Sequence, residues 1–156
     1  MFKPFPLAIV AAAAVSTAAI AAGPLQVTSK ILAEHRARAA DGTTSETLVA
    51  AAKVVPGTRV VFVLEYRNTG RQPLANIVFD NPVPRGIAYR GPAPNSPAPE
   101  VSVDGKTYGA LAALSVRTPA GARPAGPDDV THVRWRLARP LAPGAQGQFA
   151  FQAVLK

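Results

Sequence analysis

A chain of 156 residues with 48% apolar content, 17 Lys and Arg against 9 Asp and Glu, and no cysteine excludes disulfide scaffolds and thiolate metal sites. Stability must come from an apolar core, which one domain of this length can supply. The net charge of +8 favours polyanionic company, yet the charges are scattered with no long run, so they read first as a solubilising surface.

The N-terminus carries one charge, Lys3, followed by an alanine-rich apolar stretch from Leu7 to Ile20. This is the layout of a signal peptide, and the A-x-A at Ala19 and Ala21 places cleavage after Ala21 or Ala22. The competing reading, an uncleaved anchor, wants about 20 strongly apolar residues. An alanine-dominated run broken at Gly23-Pro24 falls short of that, and without cysteine no lipoprotein anchor is available. The expected organisation is a signal peptide over 1–21 and a single domain over 22–156. The protein is expected to be exported to the periplasm, the cell surface or the medium, with no membrane span once the leader is gone. Removal of Lys3 leaves 16 basic residues against 9 acidic.

Along the mature chain, Leu25, Val27, Ser29 and Ile31 alternate onto one face. Asp41-Gly42 separates this run from TLVAAAKV and signals a hairpin. Residues 31–40 also suit a helix by composition; the β character of everything downstream favours strand. Pro56-Gly57 sets a turn in which proline fixes one φ and glycine supplies a positive one. The strand Arg59–Arg67 then places Val60, Phe62, Leu64 and Tyr66 on one side, with Val61, Val63, Glu65 and Arg67 on the other, as a half-buried strand requires. Asn68-Thr69-Gly70 breaks the pairing.

Ala75, Ile77 and Phe79 alternate next, until Pro82 and Pro84 end the strand for want of a donor. A short strand over Ile87–Arg90 leads into the proline-rich GPAPNSPAPE, expected to be a stiff extended loop. Asp104-Gly105 marks another hairpin, and TPAGARPAGPDD a second loop. In VTHVRWRL, Val133, Trp135 and Leu137 face inward while His132, Arg134 and Arg136 face outward. Pro143-Gly144 repeats the earlier turn before Phe149, Phe151, Ala153 and Leu155. Seven to nine short strands with such punctuation indicate an all-β sandwich.

The order Pro56-Gly57, strand, Asn68-Thr69-Gly70, strand, Asn81-Pro82-Val83-Pro84 with Gly86 resembles a secreted bacterial conserved-repeat family, domain of unknown function eleven. The closing PLAPGAQGQFAFQAVL resembles the family's last strand. The likeness covers residues 54–90 and 130–156. It implies an immunoglobulin-like β-sandwich in an envelope or surface protein. The family is usually found in tandem copies, whereas this chain holds one. No catalytic residues carry over from it.

Motifs for chemistry are sparse. His35 and His132 stand far apart, with no second ligand at metal spacing. No serine occupies a G-x-S-x-G elbow, so a hydrolase triad would need His132 with Asp128 or Asp129 and no local signature. Asp128-Asp129 lacks the spaced oxygens of a calcium loop. Trp135, Phe62, Phe149 and Phe151 fall at core positions rather than on a ligand platform, while Tyr89 and Tyr108 flank the proline-rich loop as candidate exposed contacts. His132, Arg134 and Arg136 form the candidate contact for an anionic glycan or lipid, extendable by Arg59, Arg67 or Arg139; outward arginines equally protect a sheet edge.

The expectation is an exported, non-enzymatic envelope or surface module without cofactor or metal. Its partner is an envelope protein or an anionic component, with no nucleic acid expected. The alternative is a chaperone-like assembly domain presenting a sheet edge to a partner strand, and a cryptic hydrolase comes last. Oligomeric state is left open.

Overall fold

A computed structural model describes residues 23–38, 44–50 and 55–156. The leader up to residue 22 and the Asp41-Gly42 turn lie outside the described residues. Ten strands occur among them: β1 (Leu25–Arg38), β2 (Thr44–Ala50), β3 (Arg59–Asn68), β4 (Val78–Pro82), β5 (Ile87–Pro92), β6 (Glu100–Ser102), β7 (Ser115–Thr118), β8 (Gly121–Pro124), β9 (His132–Arg136) and β10 (Gln146–Leu155). Single 3-10 turns at Leu111–Ala113 and Pro127–Asp129 are the sole helical pieces described. The protein is all-β. The strands pair antiparallel into a five-stranded sheet ordered β2-β1-β3-β10-β5, a three-stranded sheet β4-β9-β6 and a ribbon β7-β8.

Residues 31–38 belong to β1, so the strand reading holds there over the helical one. β1 and β2 pair from Leu32 opposite Ala50 to Arg38 opposite Thr44. The two Pro-Gly turns form as read, with Gly57 and Gly144 at φ 88° and 76°, a region that costs glycine nothing.

The core is an aromatic layer between the two larger sheets. Val60, Phe62, Leu64 and Tyr66 of β3 and Phe149, Phe151 and Ala153 of β10 meet Phe79, Val101, Val133 and Trp135 from the smaller sheet. Trp135 stacks on Phe149 with centroids 5.1 Å apart, and Phe62 stacks on Phe151 at 4.8 Å. Phe79 packs against Tyr66 at 4.7 Å. These are offset or parallel contacts that add to the burial of apolar area. Gly147 makes room for this layer, because a Cβ there would run into the Tyr66 hydroxyl.

Three local outcomes differ from the sequence expectations. Strands number ten rather than seven to nine, chiefly because the second proline- and glycine-rich stretch forms the β7-β8 ribbon instead of a plain loop. Its tight turn is held by Thr118 Oγ1 donating to the Gly121 carbonyl at 2.7 Å. The Asp104-Gly105 segment is a wide loop closed by a Val101–Gly109 bridge, not a two-residue hairpin. Asp104 caps it: the N–H groups of Lys106 and Thr107 donate to Oδ1 at 2.8 Å each, and Ser102 Oγ donates at 2.9 Å. Those donors hold the Asp104 carboxyl well below the usual range.

The ribbon is tied to the turn before β9 by a bidentate pair, Arg123 to both carboxylate oxygens of Asp129 at 2.7 Å. Arg123, with the Gly126 N–H, lowers the Asp129 pKa from 3.8 to about 2, against a smaller opposing effect of burial. A depressed carboxylate contributes its full stability above its unfolded value and loses it as the pH falls through the folded one. Melting temperature is therefore expected to drop as acid is added from 3.8 toward about 2. Asp129→Asn should melt lower at neutral pH and decline less steeply in that window. An equally steep acid decline in the variant would show that the pair contributes nothing there.

Candidate functional site

β9 is the centre of the three-stranded sheet, so its outward residues have neighbours on both sides. Val133 and Trp135 are buried at 0% and 4% exposure, while His132, Arg134 and Arg136 point away from the core, as their alternation requires. The register then decides what surrounds them. Asp80 of β4 lies opposite Arg134 on one side, and Glu100 of β6 lies opposite it on the other. Arg134 reaches Asp80 at 3.1 Å, and Arg136 reaches Glu100 at 3.3 Å.

Tyr108 completes the group. Its hydroxyl donates to Asp80 Oδ2 at 2.6 Å, and the Arg134 guanidinium carbon sits 3.2 Å from the centre of its ring. Burial, then the bond to Asp80, raise the Tyr108 pKa above its ordinary value. The Arg134 Nε is buried without a partner. His132 packs its ring beside Gly105 and edge-on to Tyr108 at 6.4 Å, with Nδ1 3.1 Å from Thr131 Oγ1.

Arg59 and Arg67 lie on β3 in the other sheet, and Arg139 follows β9, so none of them extends the strip across β4 or β6. Of the other candidates, Tyr89 is a core residue at 6% exposure, and the four large aromatics Trp135, Phe62, Phe149 and Phe151 are core as well. Asp128 is paired with Arg90 and Asp129 with Arg123. His35 lies where nothing is described of side chains. Among the described residues no group of three His, Cys, Asp or Glu side chains is gathered to hold a metal. No described helix is long and apolar enough to cross a membrane.

A second surface went unread in the sequence. β2 accompanies β1 only from Leu32 onward, while β3 covers the opposite edge of β1 from Leu25 to Ala33. Among the described residues nothing pairs with the outer edge of β1 from Leu25 to Ile31. The smaller sheet ends at β4, so it does not extend over β1. Val27 and Ile31 point to the core side yet remain 45% exposed. Between the overhang and β4 lies a cleft of about 310 Å³ whose walls include Ser29, Ile31, Leu64, Pro82, Pro84 and Trp135. The alternation of β1 was visible in sequence; the exposure of Val27 and Ile31 on its core side was not.

Fold and surface together define an all-β protein of antiparallel sheets with one internally paired polar face. No family model, curated protein or solved structure matches this chain.

Proposed function

We propose that this chain is an exported, non-enzymatic immunoglobulin-like module with a structural or binding role in the envelope or at the cell surface. The face-to-face packing of two antiparallel sheets around one aromatic layer supports the immunoglobulin-like reading. The two Pro-Gly turns and the ending of β4 at Pro82 support the likeness to the conserved-repeat family. The observation that carries the functional reading is the fate of the ionisable groups. Asp80, Glu100, Asp128 and Asp129 each close a contact with an arginine of the same fold.

That same pairing bears on the choice of binding surface. An anionic glycan or lipid at His132, Arg134 and Arg136 would have to compete with Asp80 and Glu100. Among the described residues the Leu25–Ile31 edge of β1 has no such competitor, and it favours the second reading, a domain that presents a sheet edge to a partner strand.

Two measurements test the proposal together. The full chain, expressed with a C-terminal tag in a bacterial host, should be recovered outside the cytoplasm with its N-terminus near Ala22 or Gly23. Intact Met1 in the membrane fraction would refute export. On an anionic polymer column, wild type and the double variant Arg136→Ser with Glu100→Ser should elute at similar salt, because the cation is removed together with the carboxylate that neutralises it. Much earlier elution of a double variant with an unchanged melt would make the strip the binding surface after all.

A further inference from the structure

We propose that the outer face of the larger sheet, at the Asn68 end of β3, binds a polysaccharide bearing uronic acid carboxylates, with Arg67 as the carboxylate contact. The inference rests on the binding reading and names its ligand class and its place. β3 is paired on both sides here. Gln26 of β1 and Gln146 of β10 lie opposite Arg67, and Gln148 of β10 lies opposite Glu65. Alternation turns Glu65 and Arg67 away from the core face of Phe62, Leu64 and Tyr66, and cross-strand partners share a face. Three amides and a guanidinium therefore stand side by side on three adjacent strands. Gln26, Arg67, Gln146 and Gln148 are all exposed.

These side chains surround a groove of about 510 Å³. Tyr66 points inward and Gly147 opposite it has no side chain, so between the two rows the groove reaches backbone. It stops along the face where Val63 and Ala150 are buried.

The unspent groups select the ligand. Glu65 is closed by Lys30 at 2.7 Å. Among the described residues Arg67 meets no carboxylate, unlike Arg90, Arg123, Arg134 and Arg136. Farther along β10 on the same face, Gln152 gives its amide to Glu34 at 3.3 Å; Gln26, Gln146 and Gln148 bond no described side chain. A guanidinium takes a carboxylate through two parallel N–H donors. An amide both donates and accepts, which suits a sugar hydroxyl. It suits a phosphodiester poorly, because ionised phosphate oxygens only accept and would leave the amide carbonyls unmatched. The row from Gln26 to Gln146 is about 10 Å wide, two strand spacings. A carboxylate seated on Arg67 thus leaves the hydroxyls of the neighbouring sugars over the amides.

The test titrates the purified full chain with a galacturonate oligomer, the matching neutral galactose oligomer and inorganic polyphosphate, followed by backbone amide NMR. The galacturonate oligomer should move signals around Gln26, Arg67 and Gln146 and bind more tightly than the neutral one. Arg67→Gln should weaken it about tenfold or more, the loss of a hydrogen-bonded charge, with an unchanged melt. Gln26→Ala with Gln146→Ala should weaken both oligomers. Arg139→Gln removes an exposed arginine outside this sheet and should bind as wild type. Polyphosphate held as tightly through Arg67 overturns the sugar class. Equal losses in Arg67→Gln and Arg139→Gln overturn the site, and keep an anion-binding module that acts through net charge. A chain that binds none of the three overturns this proposal, while its recovery outside the cytoplasm leaves the structural role standing.

Discussion

Trp135→Ala is expected to destabilise the fold by about 3–5 kcal/mol, the range for deleting a large buried ring. The ring is 4% exposed and lies flat on Phe149 with an interplanar angle of 3°. Its Nε1 donates to the Pro97 carbonyl at 3.0 Å, pinning the proline-rich loop against the open end of the core. Removing the ring opens a cavity between the sheets and leaves that carbonyl without its donor. Trp135→Phe separates these effects: it keeps much of the stack, loses the Pro97 bond, and should cost markedly less. Denaturant melts measure both. Trp135 is the one tryptophan in the chain, so wild-type emission should be blue-shifted and poorly quenched by iodide. A stable Trp135→Ala variant would place the inward face of β9 on the wrong side.

Asn68→Leu should be nearly as damaging, although it adds apolar volume to an apolar neighbourhood. Asn68 ends β3 at 0% exposure. Its Nδ2 donates to the Gln72 and Leu141 carbonyls at 2.8 and 2.9 Å, and its Oδ1 accepts from the Gly70 N–H at 2.9 Å. Its backbone bonds Ala145 and Gly144 in the turn before β10. One amide thereby fastens three chain segments. Leucine leaves the Gln72 carbonyl and the Gly70 N–H unmatched, while the Leu141 carbonyl keeps the Leu74 N–H at 2.9 Å, so a loss of about 2–4 kcal/mol is expected from unsatisfied groups costing roughly 1–3 kcal/mol each. Asn68→Asp keeps the acceptor for Gly70 but sets a second carboxylate oxygen against two carbonyls. Its deficit should grow as the pH rises and the buried acid ionises. A pH-independent deficit would mean that the turn opens and lets the carboxylate reach water.

The inward faces of β3, β9 and β10 were legible because alternation has a period of two residues. The reading of β3 as half-buried fails at Val61 and Val63, which are buried on its other face with Ala93 and Ala150. Asn68 was legible in part. It continues the inward register of Val60, Phe62, Leu64 and Tyr66, and a lone amide in such a series signals a buried hydrogen-bonding role; the Asn-Thr-Gly string drew attention to strand breaking instead. The outward arginines of β9 were legible as well, but their partners were not. Asp80 and Glu100 lie 54 and 34 positions from Arg134 in sequence, and cross-strand register alone brings them together. The β7-β8 ribbon was masked by proline and glycine, which a short exposed ribbon tolerates better than a central strand.

The place of β10 has a temporal consequence. It lies between β3 and β5 in the larger sheet, and it follows the other nine described strands. During synthesis, β3 and β5 emerge early and wait without the strand that joins them. The ring partners of Phe62 and Trp135, Phe151 and Phe149, arrive only with residues 146–155. The core therefore cannot close around a partial chain, and such distant pairings fold slowly. A polypeptide of this topology stays open until its final sheet strand is delivered, and during that interval β3 is a sticky edge that a holding chaperone would recognise.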